Sequence, residues 1–177
     1  MPAQAAVRYA RALLEVAVES GQLENWGTEL AALARTTAEV AAGSMFAAPN
    51  LPQRSRINGM SLIAERLALS YPVRSFALVV ARRNRIALLP EIEQAYQRLA
   101  DERLNRARAA LTFALPPSDQ EVQRIVSILE RLSGKTILPT VKVEPALLGG
   151  LVAELEGKTY DLSLANKLKQ AEQRLSA

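Results

Sequence analysis

Two groups of residues have the types and spacing that could handle phosphate. Ser133-Gly134-Lys135-Thr136 has the form of the last part of a phosphate-binding loop, and Arg82, Arg83 and Arg85 make the densest basic cluster. A phosphate loop needs a glycine five positions before the one preceding its lysine, so that backbone N–H groups can converge on the anion; that position is Leu129. It also needs the lysine at the opening of a helix, where unpaired N–H groups and the dipole face the ligand. Here the apolar periodicity puts Ser133-Gly134 at the end of a helix, so the pair is read as a cap. Gly149-Gly150 has no third glycine and opens no helix, and is read as structural, a tight turn or bulge leading into a strand. The arginine cluster is read as a solvated helix face.

Cysteine and histidine are both absent, which removes thiolate nucleophiles, imidazole bases, Ser-His-Asp triads, disulfide frameworks and the common zinc sites together. Glu91 and Glu93 fall on different sides of a helix with no apolar surroundings to raise a pKa. The expectation is therefore a protein with no catalytic residue, no metal and no cofactor. The chain has a pI near 9.7, which invites a nucleic-acid reading. Residues 1–105 hold 12 Arg against 10 acids and residues 106–177 hold 10 basic residues against 8, so each part carries a net +2. Averaged in this way the charge is interspersed, which counts against a nucleic-acid partner. The first part contains no lysine, a feature with no functional account. No apolar run approaches the roughly 20 residues that span a bilayer, and the N-terminus lacks a signal-peptide pattern, so the expected compartment is the cytoplasm.

The elements that must position these residues divide into two kinds. Over residues 3–20 nearly every position is apolar except Arg8, Arg11, Glu15 and Glu19, which share a stripe of roughly 80° at 3.6 residues per turn. A helix with so narrow a polar side needs apolar cover on two sides, and a groove for a partner helix would supply the second. Gly21 ends it. Leu23, Trp26, Leu30, Leu33, Thr37 and Val40 then repeat at steps of three and four, and so do Ile57, Met60, Ala64, Leu67 and Tyr71. Pro72 opens a helix through Val73, Phe76, Val79, Val80 and Arg83, and Pro90 precedes Ile92, Tyr96 and Leu99. Tyr9 and Trp26 are read as core aromatics, and short connections make an antiparallel bundle the simplest packing.

Past Asn105 the period changes to two. Leu111, Phe113 and Leu115 alternate with smaller residues, predicting a half-buried strand that Pro116-Pro117 stops. Ser118 with Glu121 predicts a capping box ahead of a helix through Val122, Ile125, Val126, Leu129 and Leu132. Val141 and Val143 alternate with Lys142 and Glu144, residues 151–161 predict a hairpin turning at Gly157-Lys158, and Ser163 can cap a last helix through Leu164, Leu168, Ala171 and Leu175. The fold class is α+β: an all-α bundle over 1–105, then a small domain over 106–177 of order β-α-β-β-β-α.

Three stretches, RYARALLEVAVESGQLENW, FALVVARRNRIALLPEI and VKVEPALLGGLVAELEGKTYDLSLANKL, resemble in order and separation the delta subunit of the F-type ATP synthase, whose mitochondrial relative is the oligomycin-sensitivity-conferring protein. Leu162 stands between Asp161 and Ser163 where that family usually has glycine. The resemblance implies a six-helix N-terminal bundle whose first and fifth helices bind the N-terminal helix of an alpha subunit. It implies a C-terminal domain that binds the C-terminal end of the stalk formed by the b subunits. By motif position Tyr9, Ala12, Leu13, Phe76, Val79, Val80 and Arg83 are the partner-binding candidates, with Trp26, Gly149 and Gly150 structural. Such a subunit is a non-catalytic stator element in proton-driven ATP synthesis, peripheral on the cytoplasmic face of the cell membrane and touching it only through the complex. The alternative from another class is a basic nucleic-acid-binding protein using the arginine cluster. With Leu129 where a phosphate loop needs glycine, calorimetric titration of the isolated chain with Mg-ATP should show no saturable micromolar binding, and no phosphate should be released.

Overall fold

The computed structural model describes residues 4–42, 52–147 and 149–161. Five α-helices make up the first part: α1 (Gln4–Glu19), α2 (Leu23–Ala42), α3 (Gln53–Arg66), α4 (Tyr71–Arg82) and α5 (Leu89–Arg103), with a single 3-10 turn at Ile86–Leu88 ahead of α5. The expected count of six is thus five α-helices among the described residues. Gly21 takes a left-handed conformation (φ 65°) and ends α1 as expected. The periodicities of α2 and α5 hold, since Trp26, Leu30, Leu33, Thr37, Ile92 and Tyr96 are all buried. Tyr71 does not continue the face of α3. That helix ends at Arg66, Ala68 turns the chain with φ 49°, and Tyr71 begins α4 exposed to solvent.

Polar contacts hold these helices in register around an apolar core. The Tyr96 hydroxyl donates to the Leu23 carbonyl at 3.0 Å. A Cβ at Gly27 would meet Tyr96 Cε1 and Gln97 Nε2 at 3.3 Å, so glycine lets α2 and α5 approach this closely. Glu29 of α2 accepts from both the backbone N–H and the hydroxyl of Ser70, at 2.9 and 2.7 Å, satisfying a donor at the start of α4 that no local side chain caps. Arg74 pairs with Glu65 at 2.7 Å, and Gln53 donates to the Arg82 carbonyl at 3.2 Å, so the start of α3 lies at the end of α4.

The chain divides into two compact units, residues 1–100 and 101–177, the division falling within the last turn of α5. In the second unit β1 (Arg106–Phe113), β2 (Thr136–Val143), β3 (Leu151–Leu155) and β4 (Lys158–Asp161) form one sheet of order β2-β1-β3-β4. Strands β1 and β2 are parallel, joined through helix α6 (Asp119–Ser133), and the other pairs are antiparallel. The whole is a helix-rich α+β protein. Ser118 and Glu121 form the capping box reciprocally, and hydrogen bonds from the Ser118 backbone N–H and hydroxyl hold the Glu121 carboxyl below its ordinary range. The β3–β4 hairpin turns at Glu156 and Gly157, both at positive φ (50° and 78°), one position earlier than the expected Gly157-Lys158, because Lys158 already pairs with Leu155 as the first residue of β4. The predicted helix from Ser163 lies outside the described residues.

Four apolar side chains depart from the predicted pattern here. Leu111 and Phe113 are buried, but Leu115 is 76% exposed and Ala114 is buried instead, because the strand ends at Phe113 and its phase ends with it. Leu132 lies exposed on the flank of α6. Val141 and Val143 are exposed as well; β2 is an edge strand, and only Ile137 of it reaches the core. Pro139 fits such an edge, where one row of backbone groups needs no partner strand.

Burial pushes the Tyr96 phenol up to about 12 from 10.0. Its protonated form is therefore favoured by folding, a contribution fully present below about pH 10 and lost as pH rises toward 12. Tyr96→Phe should cost about 1 kcal/mol in urea unfolding at neutral pH by removing a donor from the Leu23 carbonyl. It should also lose less stability than the wild type between pH 10 and 12.

Candidate functional site

Helix α1 faces its own core with small residues. Ala6, Ala10, Leu13 and Ala17, at steps of four, three and four, are its buried positions, and the near absence of side-chain bulk lets the helix sit close to its neighbours. A second apolar stripe lies beside this one: Ala12 is exposed, Val16 is 50% exposed, and Ala5 and Tyr9 are half-buried. At 100° per residue Ala5, Tyr9, Ala12 and Val16 fall within roughly 60° of one another. The charged residues Arg8, Arg11, Glu15 and Glu19 are exposed on the side opposite the core, and half-buried Val7, Leu14 and Val18 lie between them and the buried stripe.

Helix α4 repeats the arrangement. Val73, Ala77, Val80 and Ala81 face the core, while Phe76 is half-buried and Val79 is 46% exposed. Arg83, the residue that caps the helix at its C-terminus, follows Val79 by one turn and is exposed. The rings of Tyr9 and Phe76 meet edge to face, with centroids 6.2 Å apart and planes at 78°, an arrangement favoured by the ring quadrupoles. This contact joins the exposed stripe of α1 to that of α4. Both rings also pack on the core below, so they fix the floor of the surface and leave Ala12, Val16 and Val79 for a partner to cover.

Five of the seven partner-binding candidates therefore belong to one surface or its floor: Tyr9, Ala12, Phe76, Val79 and Arg83. Leu13 and Val80 do not. They are 5% and 0% exposed, and each lies one position along its helix from an exposed residue, a step of 100° that turns the side chain into the core. Sequence reasoning misses Val16, although its place four residues after Ala12 on the doubly apolar helix is the signal for it. Trp26 is a core residue of α2. Gly149 and Gly150 have φ of 139° and 87° and lead into β3, with the Gly150 carbonyl accepting from Ala114 N–H at 3.3 Å. That is the permissive backbone expected of them.

The phosphate-loop resemblance dissolves in the geometry. Gly134 is the left-handed C-cap of α6 (φ 68°), the Ser133 hydroxyl donates to the Leu129 carbonyl at 2.7 Å, and the Lys135 ammonium pairs with Glu156 across the unit. No group of three acidic residues among the described residues could hold a metal ion. No described helix is long and apolar enough to cross a membrane. What the exposed apolar stripe of α1 and α4 can do chemically is bury apolar area against a partner.

Residues 5–175 match the family model of the ATP synthase delta (OSCP) subunit. The ATP synthase subunit delta of Pelobacter propionicus is 34% identical over 173 residues, which cover 96% of this chain and 95% of that one. The subunit of the same name from Geotalea uraniireducens is 32% identical over 163 residues, covering 91% and 90%. A chain in the cryo-EM structure of the Toxoplasma gondii mitochondrial ATP synthase hexamer superposes with a TM-score of 0.67 at 16% identity, covering 97% of both chains, a likeness of fold.

The contrast between the buried and exposed stripes of α1 is directly measurable. Leu13→Ala should destabilise the protein by about 2 to 5 kcal/mol in urea unfolding. Val16→Ala, on the exposed stripe, should change stability by no more than about 0.5 kcal/mol.

Proposed function

The chain belongs to the ATP synthase delta (OSCP) subunit family and is a stator subunit of the F-type ATP synthase, a peripheral part of a membrane-bound complex, and from that premise we propose how its two units divide the work. The helical unit holds the catalytic head by binding the N-terminal helix of an alpha subunit on the surface formed by α1 and α4. The α+β unit holds the end of the b-subunit stalk. The protein makes and breaks no bonds, and it sits at the cytoplasmic face of the cell membrane with no lipid contact of its own.

The observation that carries this reading is the second apolar stripe of α1, joined through the Tyr9–Phe76 contact to the exposed Val79 of α4. An amphipathic helix laid on such a surface buries its own apolar face and the stripe at once, at about 25 cal/mol for each Å² removed from water. On the second unit the exposed Leu115, Ile128, Leu132, Val141 and Val143 supply apolar area for the stalk. A stator must resist torque without letting go, so slow dissociation is the property that matters. Two attachment surfaces on one chain raise the tenacity of both, since either bond keeps the other partner at high effective concentration.

Placing a carboxylate at Ala12 sets a charge in the path of the incoming apolar helix. Binding would then bury it unpaired, at a cost of several kcal/mol, whereas in the free protein the position is open to water. Ala12→Asp should therefore abolish calorimetric binding of a peptide from the N-terminus of the alpha subunit and lower the melting temperature only slightly. A collapse of stability would put Ala12 in the core, and undiminished binding would move the partner surface elsewhere.

A further inference from the structure

Positive charge is concentrated at one end of the α1/α4 surface. Between residues 40 and 90 seven arginines stand against a single acid, a net +6, and that acid, Glu65, is already engaged by Arg74. Four of the seven gather where α3 begins and α4 ends. The Gln53 side chain donates to the Arg82 carbonyl, which brings the first turn of α3, carrying Arg54, to the end of α4, where Arg82, Arg83 and Arg85 stand, and all four arginines are exposed. Among the described residues none of these four is held in an ion pair, and residues 43–51 contain no carboxylate to supply one.

Helix physics accounts for only part of the cluster. Arg82 and Arg83 complement the negative end of the α4 dipole. Arg54 does the reverse, placing a cation in the first turn of α3 where the dipole favours an acid, and that turn has none. Arg85 follows α4 at the N-cap of the 3-10 turn, where its side chain makes no capping hydrogen bond and its cation gains nothing from a helix N-terminus. Like charges held together with no counter-charge oppose the fold locally, and an anionic partner would relieve that repulsion on arrival. Arg83 also lies one turn beyond Val79 on the same face of α4, so the basic end is continuous with the apolar stripe.

We propose that Arg54, Arg82, Arg83 and Arg85 form a carboxylate-binding end to the α1/α4 surface, so that the preferred partner is an amphipathic helix carrying acidic side chains at that end. This rests on the groove reading above. Guanidinium forks engage carboxylates bidentately, fixing the register of a helix that apolar contact alone would let slide. A short cluster bordering an apolar stripe, with no row of exposed aromatics, suits an acidic peptide better than a nucleic-acid strand.

The test uses the full chain and a peptide of about 25 residues, roughly seven helical turns, from the N-terminus of the same organism's alpha subunit. A second peptide has every Asp and Glu replaced by its amide. Wild-type protein should bind the acidic peptide at least about tenfold more tightly at low salt, and the difference should shrink as salt rises. Arg82→Gln/Arg83→Gln/Arg85→Gln should lose that preference. So should Arg54→Gln/Arg85→Gln, which leaves the α4 C-terminus intact and guards against a folding effect. Neither variant should bind the amide peptide more weakly than the wild type does. Equal binding of the two peptides to wild-type protein overturns the arginine proposal alone. If wild-type protein binds neither peptide, both readings fall. If the acidic preference persists in Ala12→Asp with undiminished affinity, the groove reading falls and the arginine end stands. Tighter binding to a single-stranded RNA 12-mer or to phosphatidylglycerol vesicles than to the acidic peptide would also overturn the proposal.

Discussion

A helix in a small bundle can turn only part of its circumference inward, and α1 has more apolar circumference than its own unit covers. Its fully buried stripe is alanine except for Leu13, and half-buried Val7, Tyr9 and Leu14 pack against the core beside it. The volume is supplied from the other side by Trp26, Leu30 and Leu33 of α2 and by Ile92 and Tyr96 of α5. The second stripe of α1 is presented beside α4, with the Tyr9–Phe76 contact as the shared floor. Much of what the helical unit offers as a binding surface follows from that one mismatch between apolar face and available cover.

The same constraint explains why the polar contacts of the helical unit lie where they do. Glu29 reaching Ser70, Tyr96 reaching Leu23 and Gln53 reaching Arg82 all tie helix ends to other helices. Helix termini carry unpaired backbone groups, so a side chain that satisfies one also fixes the position of the helix that bears it. With α1 contributing mostly small side chains, these ties fix helix placement that bulky packing would otherwise supply. A surface shared by α1 and α4 can bind tightly only if the two helices do not shift on docking, since each degree of freedom lost at that moment subtracts from affinity.

Legibility in the sequence tracked how local the governing physics was. The Ser118–Glu121 capping box and the Gly134 cap are set by neighbouring residues and were readable from them, and so was the β3–β4 hairpin, though its turn falls at Glu156-Gly157, one position before the one expected. The order β-α-β-β-β of the described part of the second unit was readable for the same reason. Edge position was not: Val141 and Val143 have the alternation of a half-buried strand, and only the sheet order makes β2 an edge strand. Leu13 and Val80 show the opposite failure. Motif position placed them with their exposed neighbours, while a single 100° step per residue separates core from surface.

Charge was lost by averaging. A net +2 over residues 1–105 hides a segment of +6, because the acids of that part are carried by α1, α2 and α5 and almost none by α3 and α4. Sequence order kept the two populations apart, but a sum over the whole part merged them. The fold then brings the first turn of α3 to the last turn of α4, two ends separated by nearly 30 positions, and so gathers Arg54 with Arg82, Arg83 and Arg85. Neither helix alone carries a cluster of four. Their position at the end of an uncovered apolar stripe gives a nonspecific adhesive face a direction, since apolar burial is indifferent to which way a helix lies and a charged end is not.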